Sequence, residues 1–252
     1  MVDVGSGPAI VLIPGIQGRW EWMRPSIRAL AGQWRVLTGS LPAEAGFDRL
    51  VSYVDGLLDD AHVSSAVICG ISFGGLVALR YAIARPERVR ALILVSTPGP
   101  RWKPAAHQVR SLRWPLLSLP MFLAGATRRS WRELRETLPD VRARLVFCAG
   151  WGVQVLAAPG IPWRMASRGR LAETESFEGD CLRITMPTLV IAGERELDKV
   201  VPVDDTMEYV RLIPGAEFRR LERTGHLGTV SAPDRFASIV STFLKRLPIQ
   251  DA

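Results

Sequence analysis

The sequence predicts an α/β protein built on a doubly wound, mostly parallel sheet, and three observations carry that expectation. Short, fully apolar, β-branched runs alternate with helix-forming segments through the first hundred residues. The same strand pattern returns at Thr188, after a long stretch of different character. Between them, one apolar run, Ala66 to Cys69, passes through a serine flanked by glycines, Gly70-Ile71-Ser72-Phe73-Gly74, straight into a helix-forming segment, Leu76 to Ala84. At 252 residues, 48% of them apolar, the chain can bury the core of one such domain carrying an insertion.

Gly5-Ser6-Gly7-Pro8 reads as a turn, and Ala9 to Ile13 as a central parallel strand, because an unbroken apolar run suits a strand covered on both faces. Pro14-Gly15-Ile16-Gln17-Gly18 breaks it. Trp20, Trp22 and Met23 lead into a helix ending near Leu30, and Trp34 to Leu37 forms a short strand. From Phe47 to Leu58 the spacing places Leu50, Val54, Leu57 and Leu58 on one helical face. The serine turn follows. A serine at so sharp an apex is held in strained backbone, and Gly70 and Gly74 are expected where a β-carbon would strike the neighbouring chain. Such a turn pushes the Ser72 hydroxyl outward, with the Phe73 peptide N–H at the helix start facing the same space. A helix end at Arg85-Pro86 and a strand over Ala91 to Val95 complete the first half.

From Ser96-Thr97-Pro98-Gly99-Pro100 to about Asp180 the pattern changes to irregular helical segments rich in Arg and Trp. Thirteen Arg or Lys face three acids between Gly99 and Arg170, a net +10 within a chain of net +7. A solvated helical face is one reading of this charge, and anionic substrates or lipid headgroups are the sharper one. The expected organisation is core 1–98, helical insert 99–180 and core 181–252. Leu145 to Trp163 is uncharged and nearly long enough to span a membrane, but Gly150, Gly152, Gln154, Pro159, Gly160 and Pro162 interrupt it, so an apolar cover is expected instead. Trp114, Leu116, Leu117, Met121, Phe122, Phe147, Trp151 and Trp163 could roof an apolar pocket. Thr188 to Gly193 and Ala216 to Leu221 are the last strands, and a helix from Pro233 to Leu247 closes the chain.

The Gly-x-Ser-x-Gly elbow, Pro14-Gly15-Ile16, the acid-rich loop after Gly193 and the Gly225-His226 dipeptide together resemble the α/β-hydrolase family. That resemblance implies a serine nucleophile followed in order by an acid and a histidine. Of the three histidines, His62 precedes Ser72 and His107 falls inside the insert, which leaves His226 as the base. For the acid, counting back from the Val201-Pro202 proline gives Asp198, and counting forward from Gly193 gives Glu196. Asp198 is favoured, with Glu196 left open. In the family a His-Gly dipeptide precedes one oxyanion donor; here proline replaces the histidine, and the main-chain N–H groups of Ile16 and Phe73 are the expected donors. The position of the insert is where many of these enzymes carry a lid.

The implied chemistry is hydrolysis of a carboxylic ester or related acyl bond in a small, largely apolar molecule, with no metal and no organic cofactor. Carbon–carbon bond hydrolases, thioesterases, acyltransferases and lactonases share the fold, and a non-catalytic ligand receptor is a further alternative. Cys69, Cys148 and Cys181 are odd in number and far apart, which argues against a disulfide framework or zinc site and for a reducing cytoplasm. No basic n-region precedes the apolar Ala9 to Ile13. No nucleic-acid partner and no transmembrane segment are expected, weak contact between the basic insert and anionic membranes is open, and the oligomeric state is unknown.

Overall fold

The computed structural model of the chain describes residues 1–43, 46–104, 109, 112–117 and 119–247, the segment 119–127 by its backbone alone. His107 and the side chains of Met121 and Phe122 therefore lie outside the described residues. Seven strands form one sheet: β1 (Val2–Val4), β2 (Ala9–Ile13), β3 (Arg35–Thr38), β4 (Ala66–Ile71), β5 (Val89–Val95), β6 (Thr188–Ala192) and β7 (Glu217–Arg220). Their order is β1-β3-β2-β4-β5-β6-β7, and every neighbouring pair is parallel except β1 with β3.

The inner strands β2, β4, β5 and β6 are almost wholly apolar because the sheet has two covered faces. Along β2 the side chains divide by alternation: Ala9, Val11 and Ile13 join one core, and Ile10 and Leu12 the other. In β4, Ala66 and Ile68 face the first core while Val67, Cys69 and Ile71 face the second. Helices α2 (Phe47–Asp60) and α3 (Phe73–Ala84) cover the first face, and α1 (Arg24–Ala31) and α10 (Pro233–Leu244) the second. The two edges carry charged side chains instead. Asp3 of β1 takes a forked contact from Arg35, and β7 presents Glu217, Arg219 and Arg220, which discourages pairing with another sheet.

Two boundaries differ from the sequence expectation. Helix α3 begins at Phe73 rather than Leu76, leaving Ser72 alone between strand and helix. Gly74 and Gly75 are poor helix formers, but packing overrides propensity there. Helix α10 stops at Leu244 rather than Leu247, and the chain tightens there into three-residue turns, with the Arg246 and Leu247 N–H groups bonding the Phe243 and Leu244 carbonyls.

Between β5 and β6 lie α4 (Leu119–Thr137), α5 (Val141–Ala157), α6 (Pro162–Thr174) and α7 (Glu178–Cys181). Asp140 caps α5 by accepting from the Ala143 N–H at 2.6 Å, and Pro162 opens α6. Helices α5 and α6 meet at 93°, so the apolar run is bent, and no single helix among the described residues is long and apolar enough to cross a membrane. The expected roof is corrected in part. Trp114, Leu116, Leu117 and Trp163 are exposed, while Trp151 packs against Phe147 and Trp22. Helix α5 buries no residue at all, and Leu145, Val146, Val153 and Leu156 line its outer side. The helices α8 (Val203–Leu212) and α9 (Gly228–Ser231) follow β6 and β7.

Candidate active site

All the singled-out residues leave the sheet at its carboxyl edge, where parallel strands of this kind open a crevice. Ile13 of β2 is in register with Gly70 of β4, so the Pro14–Gly18 turn and the serine turn lie side by side. Ser72 adopts φ 55° and ψ −123°, a left-handed conformation that costs about 1–3 kcal/mol for a residue with a β-carbon. The strain is held by close backbone approach on both sides. A Cβ on Gly70 would lie 2.1 Å from the Gly74 carbonyl oxygen, and one on Gly74 would lie 2.4 Å from that of Ile13. Phe73 is the first residue of α3, so its N–H has no acceptor within the helix and is available at the mouth of the turn.

His226 sits in the loop after β7, with its Nε2 3.1 Å from the Ser72 Oγ and its Nδ1 3.2 Å from Asp198 Oδ2. Asp198 is buried, and its other oxygen, Oδ1, accepts from the Val200 and Val201 N–H groups at 3.0 Å each. Glu196 is exposed. The acid and histidine loops touch through glycine: a Cβ on Gly225 would fall 2.6 Å from the Leu197 backbone. So the structure brings Ser72, His226 and Asp198 into one continuous chain of contacts, beside the turn that contains Ile16. Among the described residues no cluster of three or more His, Cys, Asp or Glu side chains could hold a metal.

Residues 10–239, most of the chain, match the alpha/beta hydrolase family. The chain belongs to that family. It is 28% identical over 245 residues to the 2-hydroxymuconate semialdehyde hydrolase of Pseudomonas putida, covering 95% of this chain and 84% of that one. It is 25% identical over 252 residues to the pimeloyl-(acyl-carrier protein) methyl ester esterase of Nitrosomonas europaea, covering 93% and 94%. The crystal structure of the enol-lactonase from Burkholderia xenovorans superposes with a TM-score of 0.79 over 97% of this chain and 95% of that one; at 21% identity this likeness shows the fold alone.

The electrostatics of this hydrolase follow from burial and pairing. Burial opposes ionisation of Asp198, but the His226 charge, their hydrogen bond and the two N–H donors outweigh it and lower its pKa. Burial likewise opposes protonation of His226, yet the charge and hydrogen bond of Asp198, with a further contribution from Glu133, raise its pKa. Glu133 is one of two charged residues that sequence reasoning missed. It lies on α4, is 2% exposed, and accepts from the Leu227 N–H at 2.9 Å, next to His226. The other is Arg168 on α6, also 2% exposed, which donates to the carbonyls of Ile16 at 2.8 Å and Pro42 at 3.0 Å, with Leu41 at 3.4 Å. Burial pushes its pKa down to about 10, which leaves it charged at neutral pH. In the sequence both residues are members of a run of charges, and the only trace of Arg168's burial is its setting among Ala166, Gly169 and Ala172.

Proposed function

We propose that the chain is a serine hydrolase that cleaves a carboxylic ester or related acyl bond through an acyl-enzyme. Ser72 Oγ attacks the carbonyl carbon while His226 Nε2 takes its proton, and Asp198 stabilises the imidazolium. The developing oxyanion faces the N–H groups of Ile16 and Phe73. His226 then protonates the leaving alkoxide. In the second half-reaction it activates the water that releases the acid. The observation that carries this reading is the unbroken contact from Ser72 Oγ through His226 to Asp198, at 3.1 and 3.2 Å. Two of the similar proteins, a methyl ester esterase and a second enol-lactonase, at 25% and 26% identity, are named for oxygen esters and support the ester reading; the 2-hydroxymuconate semialdehyde hydrolase at 28% is not, so carbon–carbon cleavage stays the alternative, with thioester cleavage and acyl transfer.

Residues 1–98 and 181–252 form the catalytic core in this reading, and 99–180 is the lid. Ser72 is only 9% exposed, and in this reading a shift of the insert admits the substrate. A cytoplasmic location fits the free thiols of the buried Cys69 and Cys181. The experiment is turnover of p-nitrophenyl butyrate, with Ser72→Ala as the blank and fluorophosphonate labelling of the serine. Loss of kcat by at least about 10³-fold together with loss of labelling supports the reading. Full activity in the alanine variant sinks it, and absence of both turnover and labelling in the native chain favours a receptor.

A second reading concerns the lid's outer side. Leu145, Val146, Val153 and Leu156 form an exposed apolar stripe on α5 within a segment of net +10. Like charge opposes pairing of two such lids, whereas an anionic bilayer surface complements both the stripe and the arginines. Sedimentation with anionic vesicles but not neutral ones, weakened by salt, is the expected result.

A further inference from the structure

Helix α4 grips the histidine loop on both sides of His226. Before it, Thr137 Oγ1 donates to the Arg223 carbonyl at 2.7 Å, and after it, Glu133 Oε1 accepts from the Leu227 N–H at 2.9 Å. Both side chains are buried, and they stand one helical turn apart, so they address the loop as a unit. The core alone therefore does not determine where the imidazole sits: its ring is held by Asp198, and its loop backbone is held by Glu194 of the core, which accepts from the Arg223 N–H at 2.6 Å and donates to the Thr224 carbonyl at 2.7 Å, together with α4 of the insert.

We infer that Glu133 is a positioning residue for His226, fixing the loop through the Leu227 N–H and placing a second carboxylate beside the imidazole. The inference rests on the reading of His226 as the general base. A residue that served only as a loop anchor could be any buried acceptor, and a neutral one would avoid the cost of burying a charge. A carboxylate does something more. The titratable groups that face it are His226 and Asp198, from the loops after β7 and β6, while Arg132, Arg135 and Glu136 of its own helix are exposed. Burial pushes Glu133 up to about 7, against the Leu227 and Gly225 N–H groups and the His226 charge, which favour the ionised form. The ionised form in turn raises the proton affinity of His226. As Ser72 gives up its proton, imidazolium forms with Asp198 hydrogen-bonded to it and the Glu133 charge nearby, and each stabilises it. Withdrawal of α4 would remove one of the two and leave the loop held before His226 by Glu194, so the base is fully supported only when the insert is seated.

The test separates anchor from charge. Glu133→Gln retains an oxygen for the Leu227 N–H and removes the charge, and Glu133→Ala removes both. The His226 ring resonance, identified among the three histidines by its absence in His226→Asn, is titrated by NMR without substrate. The expected result is a lower midpoint in Glu133→Gln than in the native chain, with the acid limb of kcat/KM moving to lower pH in parallel. In Glu133→Ala kcat falls about tenfold or more, with KM less affected, because the loop itself is misplaced. An unchanged His226 midpoint in Glu133→Gln, or native kcat in Glu133→Ala, overturns the inference. The titration does not depend on turnover. A Ser72→Ala variant that remained active would therefore sink the hydrolytic reading and leave the NMR result to decide on Glu133.

Discussion

The sheet and the insert on its carboxyl edge place polar and apolar groups in opposite ways. Strands β2, β4, β5 and β6 bury almost nothing but aliphatic side chains, and the acid at their edge, Asp198, is satisfied by two backbone N–H groups and an imidazole. The insert turns the apolar stripe of α5 outward and sends two charged side chains, Glu133 and Arg168, inward to backbone groups of the core. Apolar packing is non-directional and spread over many contacts. A buried charge holding particular N–H or C=O groups is directional and rests on few atoms. The difference teaches that the core is stabilised by area, whereas the insert is registered on it by polar contacts: among the described residues those of Glu133, Thr137 and Arg168 end on loops of the candidate site, and those of Glu175 and Asp180 end on Arg80 of α3.

The strongest way to break that comparison is Arg168→Met. The guanidinium is the shared partner of the Ile16, Leu41 and Pro42 carbonyls, and methionine fills part of its volume while satisfying none of them. Loss of so buried a group should destabilise the chain by about 3 kcal/mol, and lysine should rescue little because it lacks the fork. For a domain of this size that is a fall in Tm of roughly 6–12 °C. Because Ile16 carries one of the proposed oxyanion donors, kcat should fall by about a hundredfold, more than KM rises. A Tm within a degree or two of the native value would mean that apolar packing alone seats α6.

A smaller effect, with a distinctive pH dependence, is expected for the stability of Glu133→Gln. The Glu133 pKa stands at about 7 in the folded chain against 4.5 for the unperturbed carboxyl. Folding therefore favours the protonated form, and its contribution is complete below pH 4.5 and is lost as pH rises through about 7. Glutamine carries no charge at any pH. The variant should gain on the native chain as pH rises from 5 to 8, by at most about 3 kcal/mol, the linkage value of that shift. Denaturant midpoints at the two pH values check this, and a gap that does not widen would place ionised Glu133 in solvent.

The same contrast explains what could be read from the sequence. β2 and β4 are legible because both faces of each strand are buried, which leaves an unbroken apolar run, and the serine turn is legible because only glycine tolerates the approaches at residues 70 and 74. Counting positions favoured Asp198 but left Glu196 open. What separates them is the fold of the loop, in which Asp198 takes the Val200 and Val201 N–H groups and so turns inward while Glu196 is exposed. In the insert, hydrophobicity was a weaker guide: Trp114, Leu116, Leu117 and Trp163 could have roofed a pocket or packed within the insert, and here they are exposed. Glu133 and Arg168 left no periodic signal, since a charge inside a basic run looks like part of a solvated face until its partners, 94 and 152 residues away, are known.

The mildest prediction concerns that outward stripe, and it sharpens the comparison because it asks what the insert's apolar residues are for. If they contributed to folding as the core aliphatics do, replacing two of them would cost several kcal/mol. Leu145 and Val153, 63% and 65% exposed, have almost no packing to lose, so Leu145→Ser with Val153→Ser should change stability by no more than about 0.5 kcal/mol and leave ester turnover in free solution at the native rate. What should change is sedimentation with anionic vesicles, which depends on apolar area entering the headgroup region as well as on the arginines. A salt titration divides the two contributions: the residual binding of the double variant should be nearly all salt-sensitive, whereas the native chain should retain a salt-resistant fraction. Equal vesicle binding by both proteins would remove the stripe from the bilayer contact and leave the attraction to the basic residues alone.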